Sequence, residues 1–453
     1  MDATFSTPPH VMLEVRRTLT LALPIILAQL AQVSMGFIDT LMVGRLGGEA
    51  LAGVALGASI FFFALIVGIG VMGSVAPTVS QAVGANDPET AARATRQSFY
   101  IALALTLPAT LLFWQAEPLL NLMGQEPRAA ELAAAWLRAI SWGYLPSLCL
   151  AGLRGFLEGL ARPRPVMLIA FLGVGLNVIA NYTLIFGHFG FPAFGVVGTG
   201  WASAFVYWMM FLTAALYVRL TLPRFRVLDK PHRPDPRTLR DLLVIGLPIG
   251  LMLGFESGLF SVTALLMGTF GTVPLAAHQI AIQTASFTFM IPLGLAAATA
   301  VRVGQAVGRA DVTGTRRAGW TGIVLSAGFM SLTALAFWLL PEQITSLYLG
   351  IDDPADAAVG RTAAQFLAFA AAFQVVDGLQ VSAAGALRGL KDTRVPMLIS
   401  LVSYWGVGLS TGLLFAFGLN LGGRGLWLGL VLGLSTAAVL LVGRFWRLHR
   451  LDR

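Results

Sequence analysis

Charge is what this sequence has least of. Only 11% of its 453 residues are Asp, Glu, Lys or Arg, against about 25% in an ordinary soluble domain. A soluble chain of this length would divide into two or three cores, each needing a polar coat. This chain cannot supply that coat, and 57% of it is hydrophobic. Soluble globular, disordered and fibrous classes are excluded, and a polytopic membrane protein remains. Cysteine is almost absent: Cys149 stands alone, which excludes an intrachain disulfide framework and a Cys-rich metal site. Histidine is scarce as well. With 5 His and one Cys, no metal-ligand cluster or catalytic dyad has a suitable spacing within an apolar run, so an enzyme is not expected. No GxxxxGK[ST] loop occurs, which disfavours an ATP-driven pump.

What is present is a series of long apolar runs. A helix needs about 20 apolar residues to cross the hydrocarbon core. Twelve candidates occur, at 16–42, 52–80, 94–115, 131–156, 164–187, 194–219, 240–267, 275–303, 317–340, 360–386, 395–418 and 424–447. The runs are apolar all round, whereas barrel strands alternate over about ten residues. The expected fold is therefore an all-α polytopic membrane protein. Arg16 and Arg17 precede an apolar run too long for a signal-peptide core, so the first run reads as a span that is kept.

The basic residues report orientation. Of 30 Lys and Arg, all but Arg45, Arg128, Arg138, Arg361 and Arg424 fall at the termini or in the even-numbered loops. Both termini are thus expected on the cytoplasmic side of a bacterial-type inner membrane. The net charge of +8 is a topology signal, and no nucleic-acid partner is expected, since that would need a concentrated basic patch.

The chain repeats itself. A shift of 224 residues places Pro24 on Pro248, Gly44 on Gly268, Gly47 on Gly271 and Gly70 on Gly294. QAVG occurs at 81–84 and at 305–308, followed by Asp87 and Asp311. A second register, shifted by 230, matches GLARPRPVML at 159–168 with GLKDTRVPML at 389–398. Six spans per repeat give both halves the same orientation, related by a pseudo-twofold axis along the membrane normal. The expected domains are a six-helix bundle at 1–219, a linker at 220–239 and a second six-helix bundle at 240–453. Two such bundles around a central cleft would make an alternating-access transporter.

An ionisable group inside the bilayer costs about 3 kcal/mol or more and is a functional candidate by default. Three acids fall within spans: Asp39, Glu256 and Asp377. No Lys or Arg is expected at a comparable depth. Gln32 lies two turns before Asp39 on the same face, and the 224 shift places Gln32 on Glu256 and Asp39 on Thr263. Asn177 and Asn181, one turn apart, form a carbonyl-rich face. Asp39, Asn177 and Asn181 are expected to form a coupling-ion site in the first half, and Glu256 with Asp377 one in the second. A carboxylate taken out of water holds a proton more readily, and a second carboxylate nearby strengthens this. Such a group takes H⁺, or Na⁺ with amide oxygens as further ligands, and an organic cation competes for it. That competition is the basis of antiport. The coupling ion, H⁺ or Na⁺, is expected to replace any cofactor.

Other residues are open to two readings. Gln279, Gln283 and Phe287 share a face in span eight and, with Gln32, would line a substrate path or simply pack. His278 beside them would relay protons, or sit hydrogen-bonded near a span end. Pro24 and Pro248 remove helix hydrogen bonds, and Pro24 would act as a hinge near Asp39 or as a static kink. GLSTG at 408–412 fits a nucleophile elbow only in a strand–turn–helix context, which an apolar helix does not offer. Gly254/Gly258 and Gly425/Gly429 mark close helix packing.

The first span with its IDTLMVG stretch at 38–44, the two QAVG turns, NVIANY at 177–182 and GLARPRP together resemble the multidrug and toxic compound extrusion (MATE) family over essentially the whole chain. Within it, the acids at Glu256 and Asp377 resemble the NorM-like branch, whereas the DinF branch relies on the N-half aspartate. The resemblance implies export of cationic, amphipathic small molecules driven by Na⁺ or H⁺. No obligate protein partner is evident for this lipid-bilayer protein, and function as a monomer is expected. The resemblance also implies an N-half site at Asp39, Asn177 and Asn181 and a C-half site at Glu256 and Asp377. Phe373 departs from the pattern, since NorM-like members often carry tyrosine there and its hydroxyl would be a ligand. The alternative function is a flippase of lipid-linked precursors, whose anionic cargo would demand deep Arg or Lys.

Overall fold

The computed structural model of the protein describes residues 9–228, 233–349 and 354–451. Residues 229–232 of the expected linker lie outside the described residues. Among those described there are helices and no strands. Twelve long helices follow one another: α1 (Pro9–Gly44), α2 (Gly48–Gly84), α3 (Pro88–Trp114), α4 (Pro127–Gly159), α5 (Arg164–Phe186), α6 (Gly195–Thr221), α7 (Pro236–Gly268), α8 (Thr272–Gly308), α9 (Val312–Leu339), α10 (Pro354–Gly389), α11 (Arg394–Gly418) and α12 (Gly423–Leu451).

Eleven of them are long and apolar enough to cross a membrane. The exception is α4, which carries Arg138, Arg154 and Glu158. Its composition has a packing reason. α4 packs against α2, α3 and α6, and most of its length is buried. A helix sheathed by other helices does not need an apolar surface all round. Its core contacts include an aromatic cluster in which Trp136 and Tyr144 of α4 meet Phe61 of α2 edge-on, at ring distances of 5.9 and 6.0 Å.

The two repeats share backbone detail as well as sequence. α1 ends at Gly44 and α7 at Gly268. Each is followed by a glycine in the same unusual conformation, Gly47 at φ 107° and Gly271 at φ 109°, which L side chains rarely adopt. Asp87 and Asp311 cap α3 and α9 through hydrogen bonds from Thr90 N (3.0 Å) and Gly314 N (2.7 Å). The Thr90 hydroxyl and amide together hold the Asp87 carboxyl below the usual carboxylate range. In the second register, α4 ends at Gly159 and α10 at Gly389. Left-handed residues follow both, Ala161 at φ 57° and Lys391 at φ 60°.

The chain divides into two compact units, Met1–Ile26 with Leu251–Arg453, and Leu27–Gly250. The first helix of each repeat therefore passes from one unit to the other partway along its length. The handover follows Pro24 in α1 and Pro248 in α7 within a turn. Both prolines remove a main-chain hydrogen bond there.

α11 is unusual. Val402–Leu409 and Leu414–Gly418 are wound with π-helical turns, a rare geometry that tends to occur at functional sites. Beside it, α12 comes very close. A Cβ built on Gly429 would stand 2.4 Å from the Gly412 Cα, and one on Gly425 would meet Ala416 N at 2.3 Å. The Gly425/Gly429 spacing is thus close packing. GLSTG lies within helix, which removes the nucleophile-elbow reading.

The matched caps generate a stability test. Asp87→Ala and Asp311→Ala should each cost about 1 kcal/mol by removing an N-cap. The two caps lie in different units, so the losses should add. Thermal unfolding of the single and double variants in detergent checks this; a double variant no less stable than either single one would contradict it.

Candidate ion and substrate sites

Asp39 lies five residues before the end of α1. Since α1 has 36 residues, about 54 Å of helix, Asp39 stands nearer its far end than its middle. α5 brings Asn177 and Asn181 to the same level, nine and five residues before Phe186. The Nδ2 atoms of Asn177 and Asn181 both donate to Asp39 Oδ1, at 2.9 and 2.6 Å. Ser203 Oγ of α6 donates to Oδ2 at 3.2 Å. All four residues belong to one unit. The three expected N-half residues thus meet as a cluster, and Ser203 is an addition that the sequence did not flag.

The chemistry of this cluster is one-sided. Every donor to Asp39 among the described residues is neutral, so its charge is solvated but not cancelled. Asn177 and Asn181 are almost fully buried, and their Oδ1 atoms have no hydrogen-bond partner. Buried polar atoms are normally satisfied. Two orphan carbonyl oxygens beside a carboxylate therefore form a donor set suited to a small cation.

In the other unit, Glu256 of α7 and Asp377 of α10 each lie twelve residues before the end of their helix, about 18 Å in. They are close enough for their charges to act on each other. Asp377 is buried, and its Oδ1 accepts from Gln380 Nε2 at 3.3 Å. Gln380 Oε1 in turn accepts from the Tyr404 hydroxyl at 2.9 Å. Tyr404 comes from the π-helical part of α11 and is fully buried. Next to it, Trp405 Nε1 donates to Phe255 O of α7 at 3.2 Å, which ties α11 to the turn that carries Glu256. Phe373 is buried and meets Phe260 and Trp427 edge-on. Phe373 brings no hydroxyl to this cluster; the phenol there is that of Tyr404, which reaches Asp377 through Gln380.

One expectation is corrected: basic residues do reach the acidic stripe. Arg154 NH1 of α4 donates to Gln32 Oε1 at 3.1 Å, and its Nε donates to Glu158 Oε1 at 2.6 Å. Glu158 neutralises it one turn away. Gln32 and Arg154 line a small cavity of about 20 Å³ with Leu150, Leu157 and Met210. In the other unit, the charge of Arg388 acts on Glu256. The two repeat registers explain the pattern, because they place Gln32 on Glu256 and Glu158 on Arg388. At matched positions one half holds a neutral amide and an acid, and the other an acid and a base. The i, i+4 spacing of Arg154 and Glu158 was the available sequence signal.

Gln279, Gln283 and Phe287 lie on the exposed face of α8 and are not drawn into either cluster. Phe287 is 66% exposed. His278 is buried with Nδ1 unpartnered, and its ring meets Trp427 at 5.5 Å. It is held by packing and not by the hydrogen bond expected of it. Thr263, on which the repeat places Asp39, is buried. Among the described residues no group of three His, Cys, Asp or Glu is placed to hold a metal ion.

Twelve helices in two repeated units, with acids buried inside them, are the attributes of a multi-pass membrane transporter. Comparison with known proteins makes this specific. The MatE family model matches residues 24–183 and 248–414. The chain belongs to this family, that of the multidrug and toxic compound extrusion transporters. It is 42% identical over 442 residues to the probable multidrug resistance protein NorM of Mesorhizobium japonicum, covering 97% of this chain and 95% of that one. It is 39% identical over 450 residues to the multidrug resistance protein NorM of Burkholderia vietnamiensis, covering 99% and 96%. In fold it matches the crystal structure of the eukaryotic MATE transporter AtDTX14, with a TM-score of 0.87 at 21% identity over 97% and 98% of the two chains. A MATE crystal structure in the bent conformation gives a TM-score of 0.86 at 23% identity. The chain is thus a drug efflux transporter of this family.

The geometry at Asp39 predicts that Asp39→Asn leaves the fold intact, since the amide oxygen can still accept from Asn177 and Asn181, but abolishes export. A dye-efflux assay in sealed vesicles, with melting temperature as the folding control, checks this. Efflux at the wild-type rate would contradict it.

Proposed function

We propose that the chain exports cationic, amphipathic compounds in exchange for H⁺ or Na⁺ by alternating access. The observation that carries this reading is the Asp39 carboxylate, bound by Asn177, Asn181 and Ser203 and, among the described residues, by no positive group. A carboxylate in this state has two ways to lose its charge: take a proton, or bind a cation. The coupling ion and the cationic cargo therefore exclude one another, and exclusion is what converts an ion gradient into export. The orphan oxygens of Asn177 and Asn181 would serve Na⁺ as further ligands, or a bound proton as acceptors.

Glu256 and Asp377 form the second acidic centre in this reading, set by Tyr404 and Gln380. Pro24 and Pro248 serve as hinges, because the helices change unit just beyond them. Gln32, Gln279, Gln283 and Phe287 remain candidates for the path of the cargo. The Lys and Arg distribution supports both termini on the cytoplasmic side of the inner membrane, and no obligate partner is needed for function as a monomer. The flippase alternative needs an excess of positive charge for an anionic cargo. Arg154 does not provide it, since Glu158 cancels its charge.

The test is efflux of a fluorescent cation from proteoliposomes under pH and Na⁺ gradients imposed separately. At least one gradient alone should drive uphill movement of the dye. Glu256→Gln should weaken transport or move its pH optimum. Transport indifferent to both gradients would refute antiport, and an unchanged pH profile in Glu256→Gln would remove that residue from coupling.

A further inference from the structure

A groove of about 510 Å³ lies between α1 and α9, at the end of the unit where both helices begin. Val11 and Val15 form one wall, and Thr313, Arg316, Arg317, Trp320 and Val324 the other. The residues are graded along α9. Arg316 is four residues from the helix start, Trp320 eight and Val324 twelve, about 6, 12 and 18 Å along the axis. α9 has 28 residues, about 42 Å, against a hydrocarbon core of about 30 Å. Centred on that core, α9 places Arg316 near its edge, where a long side chain reaches the headgroups, and Trp320 and Val324 about 6 and 12 Å further in, against the acyl chains.

Among the described residues nothing cancels the positive charge in this groove. No acidic residue lines it. Glu14, on the α1 side, is committed to Arg302 through two contacts of 2.8 Å. Asp311 is committed to capping α9. Neither Arg316 nor Arg317 has an ion-pair or hydrogen-bond partner among the described residues.

The repeat supplies an independent comparison. The 224 shift places Arg317 on Arg93, Trp320 on Arg96 and Thr321 on Gln97. On that face of the other unit the chain closes the position itself. Arg96 pairs with Glu89 at 2.7 Å and donates to Arg226 O at 3.2 Å. Gln97 donates to Arg233 O at 3.2 Å and accepts from Asp235 N at 3.0 Å. No described segment does the same for Arg316 and Arg317.

We propose that this groove is a binding site for one anionic phospholipid, with its phosphate on Arg316 and Arg317 and an acyl chain running past Trp320 and Val324. Paired arginines suit a phosphate by charge and by their forked donors, and basic pockets between spans at this depth suit anionic headgroups.

The test is native mass spectrometry of the full chain exchanged into vesicles of phosphatidylethanolamine alone, or with phosphatidylglycerol or cardiolipin added. Wild type should retain one anionic lipid per chain, and the double variant R316Q/R317Q should lose at least tenfold in apparent affinity. R45Q, at the other end of the membrane, should retain it. V324W, which obstructs the acyl track at an exposed position, should weaken retention with both arginines in place and keeps the test valid if the double variant fails to fold. Equal anionic-lipid retention by wild type and R316Q/R317Q would overturn the proposal. So would inorganic phosphate raising the melting temperature as much as the lipid does, since that makes the groove a free-anion site.

Discussion

A carboxylate that sits among helices without a basic partner constrains everything around it. Its charge costs several kilocalories per mole unless donors replace the lost water. At Asp39 the donors are two side-chain amides and a hydroxyl, drawn from α5 and α6. Neutral donors stabilise the anion without neutralising it, which leaves the group ready to bind a proton or a cation. The register of α5 against α1 and the burial of both asparagines keep those donors aligned.

The two halves meet this constraint differently although they share one backbone plan. The caps, the left-handed turns and the helix ends coincide under shifts of 224 and 230 residues. The acids do not. One half places its carboxylate near the end of α1 and keeps Gln32 with the compensated Arg154–Glu158 pair. The other places Glu256 and Asp377 deeper and acts on Glu256 with Arg388. Duplication thus supplied two equivalent frameworks, and substitution at a few matched positions gave them different electrostatics. The π-helical winding of α11 belongs to this divergence, because it carries Tyr404 and Trp405 to the second acidic centre.

Most of the architecture was legible in the sequence, since it rests on signals that span many residues. Apolar runs report helices whatever their neighbours, and the repeat reports itself. The cluster of Asp39, Asn177 and Asn181 was also legible, because polar side chains in a span are conspicuous. Ser203 was not, since a serine among small residues looks like packing. Tyr404 was hidden for a different reason: its role depends on a local change of helical winding that no residue pattern marks. The absence of deep basic residues was misjudged because Arg154 sits near the end of α4 in sequence. It reaches Gln32 through its long side chain and the way α1 and α4 pass each other, neither of which is a linear property. The partition into units shows the same limit. Contact groups the start of α1, up to Ile26, with the second half, and contact is invisible to a linear reading.

The central claim is that cargo and coupling ion compete for one uncompensated charge at Asp39. The most direct measurement is equilibrium binding of a fluorescent cation, such as ethidium, to the purified chain in detergent across pH and Na⁺ concentration. The account predicts that apparent affinity falls about tenfold for each tenfold rise in the competing ion once that ion is saturating. It also predicts that this dependence disappears in Asp39→Asn. Wild-type affinity indifferent to both ions, or an ion dependence that survives in Asp39→Asn, would contradict it.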